Sequence, residues 1–290
     1  MKRCVVAVFV AGVMAVSSLA ADLPTVGSGT LMVWLDAGVG VTVDNGQIMR
    51  WENQAVDSVF GIDAFSKSAG ADGPTLGALS NGTPVVHFDG NILRASLPND
   101  TNDDVSPRQG VEGPDLQEWT FFFVLANVTD TAGLFDSAHN QQRPIRFYRS
   151  NYVAKQGDDD NGHVGGISIE LPEDTSGGMM FSFSHGVVDG SRTWDGYVNG
   201  GGYEGSFNDE GGYTLVRWFE PQLGGINGGE AGWFRGDIAE VMIFQGVLSD
   251  ADRKAVESYL AAKYDIAVVP EPAAMSLLAL GGLSLLRRRR

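Results

Sequence analysis

The close spacing of its apolar runs limits the folds open to this chain more than any single motif does. Short alternating or apolar stretches recur at 31–37 (LMVWLDA), 84–90 (PVVHFDG), 119–128 (WTFFFVLANV), 145–151 (IRFYRSN) and 165–171 (GGISIEL). They continue at 179–185 (MMFSFSH), 192–200 (RTWDGYVNG), 213–219 (YTLVRWF) and 236–244 (GDIAEVMIF). Each is bounded by Gly, Pro, Asn or Asp and has the length of a strand. The spacing is too close for intervening helices, so folds built from βαβ units are excluded. The 39 glycines follow no period, which excludes collagen and supplies turns between short strands. No short internal repeat appears, which argues against a propeller or solenoid. The expected fold is all-β, an antiparallel sandwich of jelly-roll type closed by one C-terminal amphipathic helix.

That helix is written in LSDADRKAVESYLAAKYDI, residues 248–266. Ser249 is the natural N-cap, and Asp252 three residues on is placed to close a capping box. Ala251, Ala255, Val256, Tyr259 and Leu260 form the expected apolar stripe, and Lys263 favours the C-terminal end. In 192–200 the alternation sets Trp194 and Val198 on one face, expected inside, and Asp195, Tyr197 and Asn199 on the other, expected outside. In 236–244 it sets Ala239, Val241 and Ile243 against Ile238, Met242 and Phe244. Apolar on both faces, this reads as a central strand. Glu240 then lies among apolar neighbours and needs a cation, for which Arg217 or Arg235 is suitable.

The two ends read as addresses. The opening 22 residues carry Lys2 and Arg3, an apolar run from Val5 to Val16, and small residues Ser18 and Ala20 before a cut after Ala20. Residues 1–20 are therefore a secretory signal. Cys4, the one cysteine, lies inside it, so the exported chain has no thiol for a disulfide or a nucleophile. The formal charge of −16 understates the acidity of the folded part. Without the six terminal basic residues the balance is 14 basic against 36 acidic, or −22. A surface of that sign repels nucleic acid, which is not an expected partner.

At the other end stand Pro270, Glu271 and Pro272, an apolar segment Ala273–Leu286 with paired Gly281 and Gly282, and then Arg287, Arg288, Arg289 and Arg290. As a helix, 14 residues reach about 21 Å against a hydrocarbon core of about 30 Å. The arginines would stay on the cytoplasmic side while the globular part lies outside. This order of elements resembles the PEP-CTERM sorting signal of Gram-negative bacteria. The resemblance implies an exosortase-type processing enzyme as partner, transient insertion in the inner membrane, and release or transfer to the cell surface. Residues 21–266 are then the folded domain and 267–290 the sorting signal.

A second resemblance lies between the addresses. The segment 234–264 (FRGDIAEVMIFQGVLSDADRKAVESYLAAKY) is similar to the closing strand and helix of laminin-G-like, concanavalin A-like jelly rolls. Residues 33–55, 85–95 and 194–201 resemble, in order, the opening strand pair, the following strand and a hairpin ending Val-Asn-Gly. The stretch 99–115, rich in Asp, Asn, Pro and Gly, departs from that pattern as a long acidic loop.

Jelly rolls of this type include glycan hydrolases. The Glu-x-Asp-x-(x)-Glu strand of laminarinase-like members, which sets two carboxylates on one face for retention, is absent. Glu170 and Glu173 lack the central Asp, and Asp237 and Glu240, three apart, would fall on opposite faces of a regular strand. No nucleophile elbow or zinc helix is present. His87, His139, His163 and His185 are scattered, and His87 is expected as a satisfied core imidazole. The chain is therefore expected to bind rather than to cleave. Asp158, Asp159, Asp160 and Asn161 cluster hard oxygen donors suited to calcium, although not in EF-hand order, and NDTNDD (99–104) is a second acidic cluster. Tyr197, Asn199, Tyr203, Tyr213, Asn227 and Trp233 are the expected carbohydrate contacts, aromatic rings for sugar faces and amides for hydroxyls. An extracellular polysaccharide or surface partner is the expected ligand. The alternatives are a purely structural envelope or matrix protein and a glycan-cleaving enzyme.

Overall fold

The structure is a computed structural model that describes residues 23–55, 62–68, 70–96, 118–130, 133–136, 143–146, 154–158, 162–167, 172–188, 191–205, 221–226 and 231–269. The signal segment, the stretch 99–115, the run 213–219 with Arg217, and the sorting tail from Pro270 lie outside the described residues.

The strand at Arg235–Gln245 (β19) is the axis of one sheet. Along one edge its early residues pair with Pro84–Asp89 (β6) and its later ones with Thr30–Asp36 (β1). Its other edge pairs along its length with Trp119–Asp130 (β8). Beyond β8 follow Met179–Val188 (β13), Ser191–Val198 (β14) and Gly201–Gly205 (β15), every pair antiparallel. The facing sheet runs from Val41–Asp44 (β2) through Gln47–Glu52 (β3), Ala64–Ser66 (β4) and Leu93–Ser96 (β7) to Gln222–Leu223 (β16). It continues through Phe135–Asp136 (β9), Arg143–Arg146 (β10), Ala154–Asp158 (β11) and Gly162–Ile167 (β12). Thr75–Ala78 (β5) pairs with β6 and touches β3, tying the two sheets together. The antiparallel sandwich expected from the spacing of the runs is what the chain forms.

The inner core explains why these sheets face one another. Trp51, Phe65, Leu93, Phe135 and Leu223 of one sheet meet Met32, Trp119, Phe121, Phe123, Phe181 and Phe183 of the other, all fully buried. The rings interlock edge-on, as Trp119 on Phe121 at 4.9 Å, and stacked, as Phe121 on Phe183 at 5.0 Å. Such pairs add about 0.5–1.5 kcal/mol each beyond the burial of their area. Trp194 and Val198 face inward as the alternation required. Asn53 pins β1 to its neighbours: its amide donates to the Met32 and Ile62 carbonyls and its oxygen accepts the Trp34 N–H.

The outer face of the same central sheet is apolar too, and the helix Asp250–Tyr264 (α1) covers it. Val256, Tyr259, Leu260 and Tyr264 pack on Phe122, Val124, Met180, Ala239, Met242 and Phe244. Here the structure corrects the sequence reading in three respects. A bulge between Ile238 and Glu240 shifts the register, so Ile238 joins Val241 and Ile243 inside while Ala239 joins Met242 and Phe244 under the helix. The buried stripe of α1 includes Arg253 and Glu257, whereas Ala251 is exposed, because the helix rolls toward the hydroxyl of Ser182 on β13. Glu257 accepts that hydroxyl at 2.7 Å and both 2.7 Å contacts from Arg253. The capping box, finally, closes through a third residue. Ser249 accepts the Asp252 N–H, while Asp252 receives the N–H and hydroxyl of Ser28, whose oxygen accepts the Ser249 N–H.

Glu240 finds its cation in Lys263 of the last helical turn, not in Arg235, which pairs with Asp89. Lys263 Nζ donates at 2.7 Å to both Glu240 and Asp36, and the Tyr264 hydroxyl and Trp34 indole N–H complete the carboxylate's shell. Burial pushes the Glu240 carboxyl above its ordinary value, against the pull of Lys263 and Tyr264. Burial also works against the charge on Lys263, but Glu240 and Asp36 outweigh it and hold the ammonium protonated above its usual range.

Replacing Lys263 by Met strands two carboxylates under the helix and should cost about 3–5 kcal/mol in urea unfolding. A lysine held up in this way binds its proton more tightly folded than unfolded, so its contribution is whole below the unfolded value and fades as pH rises past about 10.4. Tyr264, raised by burial beside Glu240, acts in the same direction. Melting temperature should therefore fall on the alkaline side, and by less in Lys263→Met than in the native chain.

Candidate functional site

The helix covers only part of the outer face. Beyond it, at the opposite end of β6 and β19, the strands turn polar. On β6, Val86 and Phe88 point inward, which sends His87 and Asp89 outward. Phe234, just ahead of β19, and Ile238 on it enter the core, while Arg235 lies opposite Asp89 and Asp237 opposite His87. His87 is not the core imidazole expected: its side chain is 49% exposed. Its Nδ1 lies 2.7 Å from Asp237 Oδ1, and the other Asp237 oxygen accepts the Asn127 amide at 2.6 Å. Asn127 reaches that carboxylate from a left-handed turn of backbone, φ 48°, at which β8 leaves its ladder with β13. With the Asp237 carboxylate accepting Nδ1–H, the imidazole presents its Nε2 edge to solvent. Arg235 Nε donates to Asp89 at 3.0 Å, both side chains at least half exposed.

The bulge places Asp237 and Glu240 on the same outer face, contrary to a regular strand, yet each carboxylate has both oxygens engaged by its own partners. Among the described residues, no group of three or more His, Cys, Asp or Glu side chains converges as a metal site.

The expected ligand contacts divide. Trp233 ends the short strand Ala231–Trp233 (β18), which pairs with Gly225–Ile226 (β17), and its side chain is partly exposed at the edge of the polar patch. Tyr197 is not freely exposed: the Arg253 guanidinium lies 3.5 Å over its ring, sandwiching it beneath α1. Asn199 is occupied within the fold. It sits at φ 49° in the β14–β15 turn, donates its backbone N–H to the Met180 carbonyl, and accepts the Met180 N–H on its side-chain oxygen. Its carbonyl also takes the Val269 N–H, fastening the chain one residue before Pro270. Tyr203 lies on β15, and Tyr213 and Asn227 lie outside the described residues. Asp158 ends β11 opposite Gly162, whereas Asp159, Asp160 and Asn161 lie outside the described residues. The residues that sequence reasoning missed are His87, Asp89, Arg235 and Asp237. Their signal was the polar alternation His-Phe-Asp at 87–89 and Arg-Gly-Asp at 235–237.

Residues 268–290 match the PEP-CTERM protein-sorting motif, so the chain carries that signal, which implies an exported protein processed by an exosortase. No curated protein matches the chain in sequence. Among solved structures, domain 4 of AbnA, a GH43 extracellular arabinanase from Geobacillus stearothermophilus in complex with arabinotriose, is 12% identical, with TM-score 0.49, over 80% of this chain and 98% of that one. The botulinum neurotoxin serotype D binding domain is 10% identical, with TM-score 0.49, over 79% and 50%. A GH54 α-L-arabinofuranosidase is 14% identical, with TM-score 0.46, over 75% and 51%. The chain thus spans about half the length of the last two. No helix among the described residues is long and apolar enough to cross a membrane.

Replacing Asp237 by Ala would remove the buried acceptor shared by the exposed Asn127 amide and the half-exposed His87 ring. The change should lower unfolding free energy by about 1–3 kcal/mol. An unchanged urea midpoint would show that the pair does not hold β6 to β19.

Proposed function

We propose that this protein is exported, passes through a transient inner-membrane stage, and is displayed on the cell surface or in the matrix. There its sandwich binds carbohydrate or another extracellular ligand without catalysis. The observation that carries the reading is the polar patch on the outer sheet face, where side chains on rigid strands stand beside a partly exposed indole. Sites on strands hold their donors in place better than sites on loops do. The engagement of Asp237 and Glu240 by separate partners favours binding over glycan cleavage, which would need two cooperating carboxylates. Release of reducing ends from any polysaccharide would reverse that preference. A purely structural envelope or matrix protein is the second reading. The observation in its favour is that Tyr197 and Asn199 serve the fold itself.

Calcium assistance belongs to the same proposal and rests on Asp158, the last residue of β11, and on Asp159, Asp160 and Asn161 that follow it in sequence, all hard oxygen donors. Melting temperature should rise with calcium in the millimolar range as mass action requires. A flat response removes calcium from the account. Processing is open to test in the same way. Replacing Pro270, Glu271 and Pro272 together by Ala should leave an uncut, membrane-associated precursor in a pulse-chase. Normal maturation of that variant would mean that the tail is not read by an exosortase.

A further inference from the structure

Five side chains from two paired strands and the turn beside them form one surface. His87 and Asp89 lie on β6, Arg235 and Asp237 on β19, and Trp233 just ahead of β19. Gly90 follows β6 beside Trp233 and Arg235. It holds a left-handed turn at φ 79°, and a Cβ placed on it would lie 3.9 Å from both the Trp233 ring and the Arg235 guanidinium. The missing side chain therefore leaves a shallow opening between an aromatic ring and a fork of N–H donors. Gly236, at φ 152°, lets β19 press against β8, since a Cβ there would come within 3.0 Å of Val128 Cα.

The charged groups of this surface already have partners. Arg235 is paired with Asp89, and both Asp237 oxygens are taken, one by the His87 ring and one by the Asn127 amide. What remains for a ligand is a set of hydrogen-bonding edges: the guanidinium N–H groups not used by Asp89, the outer oxygen of that carboxylate, and the Nε2 of an imidazole whose orientation Asp237 fixes. A cation would find no carboxylate here without a partner of its own, and an anion would meet the strongly acidic surface of the whole chain. A polyhydroxylated neutral molecule would gain both donors and acceptors, with an indole to cover a C–H face.

We propose that Trp233, Arg235, Asp89 and His87 form a subsite for a neutral saccharide, with Trp233 as its stacking platform and Asp237 positioning the imidazole. This rests on the carbohydrate-binding reading above and assigns that reading to a place. The test is affinity electrophoresis of the full chain through gels holding dextran, xylan or galactomannan, with polygalacturonate as the anionic arm.

At least one neutral gel should retard the native chain. Trp233→Ala and the double variant Asp89→Ala with Arg235→Ala should each weaken that retardation by at least about tenfold. The double variant alters only side chains at least half exposed, so its melting temperature should stay near the native one. Retardation that survives in both variants would overturn the subsite while leaving carbohydrate binding intact elsewhere on the molecule. Retardation by polygalacturonate alone would overturn the assignment to a neutral ligand. A native chain that no gel retards would overturn the subsite and the carbohydrate reading together.

Discussion

A sheet that is apolar on both faces cannot stop at a sandwich, and most of this structure follows from that constraint. Strands β8 and β19 bury their inner residues against the facing sheet and their outer residues, Phe122, Val124, Met242 and Phe244, against whatever covers them. One amphipathic helix supplies the cover. It is held at its first turn by Ser28, Ser249 and Asp252, at its middle by Ser182 with the Arg253–Glu257 pair, and at its last turn by Lys263 between Glu240 and Asp36. Hydrophobic burial chooses the helix as partner, and these three polar contacts fix where it lies, because burial alone has no direction.

The helix reaches only so far, and its limit divides the outer face by chemistry. Where α1 lies, the strands present methyl groups and rings. Past it, β6 and β19 present His87, Asp89, Arg235 and Asp237, and the sequence there alternates as a half-solvated strand should. The bulge at Ile238–Glu240 marks the boundary. It brings Glu240 outward beneath the helix while leaving Asp237 on the same face beneath His87 and Asn127. The far end of the helix-bearing side has another task. There the β14–β15 turn takes the Val269 N–H, and Gly200 and Gly201 lie against Val268 and Val269. A chain that carries a sorting motif from residue 268 thus has the root of that motif bound to the folded domain.

Local signals were sufficient for much of this. The alternation of β6, β8, β13 and β14, the capping serine and the length of the helix are properties of neighbouring residues, and neighbouring residues are what a sequence displays. The sorting tail is likewise contiguous, and its order of triplet, apolar run and arginines needs no fold to be read. Trp194 and Val198 could be placed inside because a regular strand has a period of two. The same rule failed for Ile238 and Ala239, since one extra residue reverses every later face and leaves no trace in composition. It failed for Tyr197 in another way: its outward face was read correctly, but the Arg253 that covers it lies 56 positions away in sequence.

The sequence by itself therefore determined the class of fold, the closing helix and the address at the C-terminus, all of which rest on periodicity and short-range order. Tertiary structure alone decided which polar groups are used up and which remain open. Lys263 became the partner of Glu240 because the helix crosses the sheet at that height, and Asn199 became a fastening for the tail because the chain returns past its turn. His87 came to face Asp237 across 150 positions because β6 and β19 are paired in that register. Hydrogen bonds and ion pairs depend on distances of about 3 Å, and only the pairing of distant strands brings such groups that close.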